Sequence, residues 1–262
     1  MYSEFDNKVV VVAGGSGGIG RGIATAFASY GAQIVLVAKT KAALQSAADA
    51  IGKLTTRQPD IFEADLRTLE GCVSVQEYVA EHYSRCDILV NAAGATRAGN
   101  FLEQTDEEWL DGFALKFFGT VRLSRAFWPM LKSANGHIVN IIGGAARTPD
   151  AEFLVGGSVN AAMHNFAKGL STLGKVDKVN VNSILPGLTE TERVTRLFEQ
   201  RAKATGTTPK EIREKLIVQD GLTRLGKPED IAELALFLCS EGARHIQGTA
   251  IAVDGGSTPG LY

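Results

Sequence analysis

Five glycines crowd into eight residues at Ala13-Gly14-Gly15-Ser16-Gly17-Gly18-Ile19-Gly20. Glycine lets a backbone turn sharply and come close to a ligand. A helix starting inside such a loop offers unpaired N–H groups and a partial positive charge, both suited to a pyrophosphate. The same residues spell G-x-S-x-G, the nucleophile elbow of hydrolases, which would make Ser16 a nucleophile. That reading needs an acid and a histidine in suitable downstream places, and none stands out. Gly18 and Gly20 fit the dinucleotide reading better.

The elements around the loop support a nucleotide cradle. Apolar runs at 9–13, 34–38, 60–64, 88–91, 138–142, 179–184 and 249–253 read as strands. Amphipathic stretches at 20–30, 40–51 and 68–83 read as helices between them. Strands apolar on both faces and alternating with helices imply a parallel sheet covered on both sides. The expected fold is α/β, a single-domain doubly wound parallel sheet (Rossmann fold) over residues 1–262. The glycine loop then joins the first strand to the first helix, where a βαβ unit binds dinucleotides.

A long helix is expected over 105–131. Leu110, Phe113, Phe117, Val121, Ser124, Trp128 and Leu131 recur at steps of three or four and predict its buried face. Thr105 followed by Glu108 predicts a capping box at its start. Residues 188–220 are polar and lack strand signals, which predicts a mobile helical flap over a ligand.

Composition narrows the function class. Apolar residues make up 45% of the 262 and charged residues 21%, enough for a substantial core. The net charge of −2 gives no basic excess for a nucleic-acid partner. Residues 1–8 are polar, without the basic start and apolar stretch of a secretory leader, and no run approaches membrane-spanning length. Cys72, Cys86 and Cys239 are scattered, as are His82, His137, His164 and His245. That predicts no disulfide framework and no metal cluster, and fits a reducing cytoplasm.

These motifs, in this order, resemble the short-chain dehydrogenase/reductase family over nearly the whole chain. The loop is similar to TGxxxGIG, with Ala13 in place of Thr. Asp65-Leu66 stands where the family contacts adenine, and Asn91-Ala92-Ala93-Gly94 resembles NNAG. Pro186-Gly187-Leu188-Thr189-Glu190-Thr191 resembles PGxxxT, whose threonine approaches the nicotinamide carboxamide. Arg224-Leu225-Gly226-Lys227-Pro228-Glu229-Asp230 and Asp254-Gly255-Gly256 also fit. The resemblance implies a nicotinamide dinucleotide held by Gly14, Ser16, Gly17, Gly18, Ile19, Gly20, Lys39, Asp65, Leu66, Asn91, Ala92, Gly94, Pro186, Gly187 and Thr191. It also implies a small-molecule substrate and a homo-tetramer or homo-dimer joined through the two long helices after the fourth and fifth strands.

The second strand ends Ala38-Lys39-Thr40, with no acid for a ribose 2′-OH. Lys39 would attract a 2′-phosphate, so NADP(H) is expected over NAD(H). An ordinary surface lysine is the plainer reading of the same residue.

The family's catalytic Asn, Ser and Tyr-x-x-x-Lys are not matched. Their positions fall on Lys116, Gly143, Gly156 and Asn160. General acid catalysis is worth roughly 10² to 10⁴ in rate, so losing the Tyr should cripple the usual reaction. The Asn and Lys positions have exchanged residue types, which keeps one ammonium and one amide in the same neighbourhood. Lys116 is therefore expected to supply charge beside the nicotinamide ribose and Asn160 to hydrogen-bond nearby. The plainer reading has Lys116 snorkelling from a helix flank. Ser158, His164, Tyr262 and Lys116 stand open as proton donors, and two missing side chains should enlarge the pocket. Two functions follow: an NADP(H)-dependent oxidoreductase with a remodelled site, or a dinucleotide-binding pseudoenzyme or assembly subunit without turnover.

Overall fold

In the computed structural model, which describes residues 2–94 and 96–259, the run of four valines in β1 (Val9–Ala13) forms an interior strand of the sheet. Branched side chains suit a strand buried on both faces. The chain continues through α1 (Gly18–Ser29), β2 (Gln33–Ala38), α2 (Lys41–Leu54), β3 (Asp60–Glu63), α3 (Leu69–Tyr83) and β4 (Ile88–Asn91). Next come α4 (Asp106–Gly112), α5 (Gly119–Ala134), β5 (His137–Ile141), α6 (Leu154–Asp177) and β6 (Asn180–Pro186). The last part holds α7 (Glu192–Thr205), α8 (Pro209–Gln219), α9 (Pro228–Cys239) and β7 (Ala250–Val253).

All seven strands are parallel, in the order β3-β2-β1-β4-β5-β6-β7. Alternate residues serve opposite faces of the sheet. Val10 and Val12 pack with Ile23, Phe27 and Leu236 beneath α1 and α9. Val9 and Val11 pack with Val75, Leu123 and Phe127 beneath α3 and α5. The strand order reverses between β1 and β4, and ligands of open α/β sheets bind at the carboxyl ends beside such a reversal. This is the single-domain Rossmann architecture expected. Among the described residues no helix is long and apolar enough to cross a membrane.

The helix expected over 105–131 differs in one respect. Helical backbone runs from Asp106 to Ala134, but Phe113–Phe118 is wound as a π-helix. The wider turn rotates later residues relative to earlier ones, so one 3.6-residue stripe cannot stay on one face. Leu110 is 69% exposed, and the buried positions are Gly112, Gly119, Thr120, Leu123, Ser124, Phe127 and Leu131. The capping box is half formed. Thr105 Oγ1 accepts from the Glu108 N–H at 3.4 Å, while the Glu108 carboxylate pairs with Arg97 at 3.1 Å. Residues 188–220 are helical as expected, forming α7 and α8.

Candidate functional site

The turn out of β1 is built on a close approach. Gly14 has φ +81°, and a Cβ there would lie 2.6 Å from the Ala93 backbone nitrogen. A Cβ on Gly20 would overlap the Gly14 carbonyl oxygen. The loop therefore folds back under α1 only with glycine at both positions. Ala92 N–H bonds the Ala13 carbonyl at 2.9 Å, which ties the loop to the end of β4. Asn91 Nδ2 donates to Asn140 Oδ1 at 2.9 Å and links β4 to β5.

No side chain of its own loop caps α1, and its first turn carries no acid. The N–H groups there form a cradle for an anionic group, with that of Gly18 turned toward the Glu192 carboxylate. The segment expected to act as a flap leans over this cradle from β6. Pro186 closes the strand, Gly187 passes tightly against Asp254, and Thr191 N-caps α7. The Thr191 methyl would stand 3.3 Å from a Cβ on Gly18. Glu192 pairs with Arg21 at 2.8 Å. Its own backbone N–H, the Arg21 charge and the Gly18 N–H keep this carboxyl below its ordinary range, against partial burial. A cavity of about 550 Å³ opens behind the flap, lined by Gly18, Arg21, Thr191, Arg213 and Pro228.

At the β2 edge, Lys39 is not free. Its Nζ lies 2.8 Å from Asp65 Oδ2. Arg67 bonds Asp65 through its backbone N–H at 3.1 Å and pairs with Asp111 at 2.5 Å. The Lys39 hydrogen bond comes first among the causes that hold Asp65 below the usual carboxylate range. Leu66 beside it is buried.

Lys116 and Asn160 meet. The π-wound segment carries Lys116 across Gly94, where a Cβ would lie 2.8 Å from the lysine Cδ. Lys116 Nζ donates to Asn160 Oδ1 at 2.6 Å. The same oxygen accepts from the Gly143 N–H at 2.8 Å, and Asn160 Nδ2 donates to the Gly156 carbonyl at 2.7 Å. Three bonds thus fix the buried amide. Removal from water, with a smaller contribution from the Arg193 charge, lowers the Lys116 ammonium to about 8.

One expectation for this cluster is corrected. Ser158 is exposed on α6, two residues from the buried Gly156 and Asn160. The space beside Gly156 is not enlarged. The Phe153 ring lies against that glycine, so closely that a Cβ would overlap it. His164 is half-buried one turn past Asn160, lowered by burial and by Arg147 and Lys168. Tyr262 lies outside the described residues. No hydrogen bond joins Ser16 to a histidine or an acid among the described residues, so the hydrolase elbow has no triad.

Sequence reasoning missed Phe153, Glu192 and Arg193. Glu192 and Arg193 directly follow the PGxxxT segment, so their position was visible while their partners were not. Arg193 Nη2 donates to the Thr96 carbonyl at 3.3 Å and bridges the flap to the segment after β4.

The family profile described as enoyl-(acyl carrier protein) reductase matches residues 13–258. The 3-oxoacyl-[acyl-carrier-protein] reductase FabG of Chlamydia trachomatis is 32% identical, over 95% of this chain and 97% of that one. The meso-2,3-butanediol dehydrogenase of Serratia marcescens is 31% identical, over 97% and 96%. Among solved structures, the L-sorbose reductase of Gluconobacter frateurii, complexed with NADPH and L-sorbose, superposes with TM-score 0.95. It is 32% identical and both chains are covered in full.

Proposed function

Because this chain belongs to the short-chain dehydrogenase/reductase family, we propose that it is an NADP(H)-dependent oxidoreductase acting on a small carbonyl or alcohol, with Lys116 as the proton donor in place of the family's tyrosine. The observation that carries the reading is the 2.6 Å contact between Lys116 and Asn160. In this reading Gly143 and Gly156 stand at the Ser and Tyr positions, and Asn160 and Lys116 have exchanged the amide and ammonium of the Lys and Asn positions.

The residues fit a dinucleotide. The overlaps at Gly14 and Gly20 require bare backbone in the loop that leads into α1. Gly17, Gly18 and Ile19 present N–H groups there, beside Ser16 and beneath Thr191. Asn91, Ala92 and Gly94 wall the cleft on the β4 side, Pro186 and Gly187 on the β6 side. Asp65 and Leu66 would border adenine. Lys39, exchanging its carboxylate partner for a 2′-phosphate, would favour NADP(H), in line with the NADPH of the sorbose reductase complex. A bound nicotinamide dinucleotide supplies the hydride.

The chain's own residues do the rest. Asn160 Oδ1 accepts hydrogen bonds from Lys116 and from the Gly143 N–H while its Nδ2 donates to the Gly156 carbonyl, and the amide so fixed holds the ammonium in place. An ammonium lowered to about 8 is still mostly protonated near neutral pH and gives up its proton more readily than a solvated lysine. Phe153 fills the volume beside Gly156 and shields the cleft from water. The flap, α7 with α8, moves to admit ligands.

The ring at Gly156 also favours a second reading, a dinucleotide-binding protein without turnover. A panel of ketones, diketones and oxo acids, followed by loss of NADPH absorbance, separates the two. Consumption that disappears in Lys116→Met supports the reductase. NADPH binding with no consumption across the panel supports the second reading. We further propose a homo-tetramer or homo-dimer, supported by the exposed Phe118 beside α5 and Leu173 and Val176 on α6. Sedimentation velocity tests it.

A further inference from the structure

We infer that the substrate carries a carboxylate, gripped by Arg193 at the mouth of the cleft, with Lys116 at its base. This rests on the proposed reading of the cleft as a dinucleotide-dependent site.

The argument begins with unbalanced charge. Lys116 reaches the cleft across Gly94, and Arg193 reaches it from α7 to hold the Thr96 carbonyl. Two cations thus reach Gly94 and Thr96, which stand two residues apart in the chain. Neither has a carboxylate partner among the described residues. Lys116 bonds only the neutral Asn160 amide, and Arg193 only a neutral carbonyl at 3.3 Å.

The acids beside Arg193 are already committed. Glu192 pairs with Arg21 at 2.8 Å, and Glu190 with Arg213 at 2.7 Å. Asp150 accepts from the Glu152 N–H at 2.9 Å, and neither residue pairs with Arg193. The two acids that flank Arg193 in sequence are thus paired elsewhere.

Arg193 is exposed at the mouth while Lys116 is withdrawn from water; like charges disfavour each other, and an anion between them reverses the sign of that interaction. Arg193 spends one donor on Thr96. The rest of its planar fork matches a carboxylate in a two-bond geometry that lysine cannot offer. The position also divides the labour. Arg193 orients the distal carboxylate, and Lys116 stays near the carbonyl that accepts hydride and proton. Closing the anion under Arg193 would draw α7 down over the cleft.

The test uses the full chain saturated with NADP+. Oxo acids of three to eight carbons are compared with their methyl esters by calorimetry. At least one acid should bind roughly tenfold or more tightly than its ester, the scale of one charge-assisted pair. Arg193→Met should abolish that preference, Arg193→Lys should retain part of it, and both should leave NADP+ affinity unchanged. If NADP+ binds but no acid exceeds its ester, the inference is overturned while the dinucleotide reading stands. If Arg193→Met weakens NADP+ itself, Arg193 serves the cofactor and the inference is overturned. If NADP+ does not bind at all, the dinucleotide reading fails and takes the inference with it.

Discussion

Lys116 on the π-wound turn before α5 and Asn160 on α6, 44 residues apart in sequence, meet through a 2.6 Å hydrogen bond that turns the amide oxygen toward the ammonium. An ammonium held there, out of water and beneath the Arg193 charge, should lose its proton near pH 8. Reductively methylated protein carrying ¹³C-dimethyl-lysine should show one resonance titrating with a midpoint near 8, absent in Lys116→Met. A proton-donating ammonium is populated below that midpoint, so reduction should slow as pH rises through it. A Lys116 resonance titrating near the ordinary lysine value of 10.5 would contradict this.

Phe153 and Gly156 should show strong coupling. Alanine in a helix is ordinarily favoured over glycine by about 0.5–1 kcal/mol. At Gly156 the added methyl meets the Phe153 ring, so Gly156→Ala should instead destabilise by about 1–3 kcal/mol. In a Phe153→Ala background the same substitution should become neutral or stabilising. Urea denaturation of the four proteins measures the cycle, and additivity would show that the ring does not occupy that space.

The ion pair between Lys39 and Asp65 makes cofactor preference a competition. Lys39→Ala should weaken NADPH binding by roughly tenfold while leaving NADH nearly unchanged. Asp65→Asn removes the competing carboxylate and should raise the ratio of NADPH to NADH affinity. Fluorescence titrations with both dinucleotides give the ratio directly. An unchanged ratio in both variants would remove Lys39 from the 2′-phosphate site.

His137, at the start of β5, is buried with its Nδ1 unpaired among the described residues. Burial, then the Arg244 and Lys8 charges, push it down to about 3. The folded state refuses a proton that the unfolded chain accepts from about pH 6.5 downward. Stability from this group is complete above 6.5 and falls as pH drops toward 3, by at most about 1.4 kcal/mol per pH unit. Chemical denaturation between pH 7 and 4 should show a shallower loss in His137→Gln than in the parent. Parallel slopes would contradict it.

Much of the architecture is legible because it depends on local pattern. The valines of β1 and the glycines that follow permit little besides a buried strand and a tight turn. The seven strands follow from such runs, although β3 is a half-exposed edge strand one residue shorter than expected. The π turn at Phe113–Phe118 is not legible, because apolar spacing does not record where a helix changes its hydrogen-bond register. The nearness of Lys116 to Asn160 could be read only by setting the chain against its family. Phe153 was missed because its ring reaches Gly156 through a 3₁₀ turn, Ala151–Phe153, that leads into α6. Arg193 was missed because its partner, Thr96, lies 97 residues away.

The central claim is that the loop from Gly14 to Gly20 grips a dinucleotide pyrophosphate. Calorimetric titration of the purified protein with NADPH and with NADH tests it most directly. The account predicts saturable binding of one dinucleotide per chain, tighter for NADPH. The absence of saturable heat with either would contradict it.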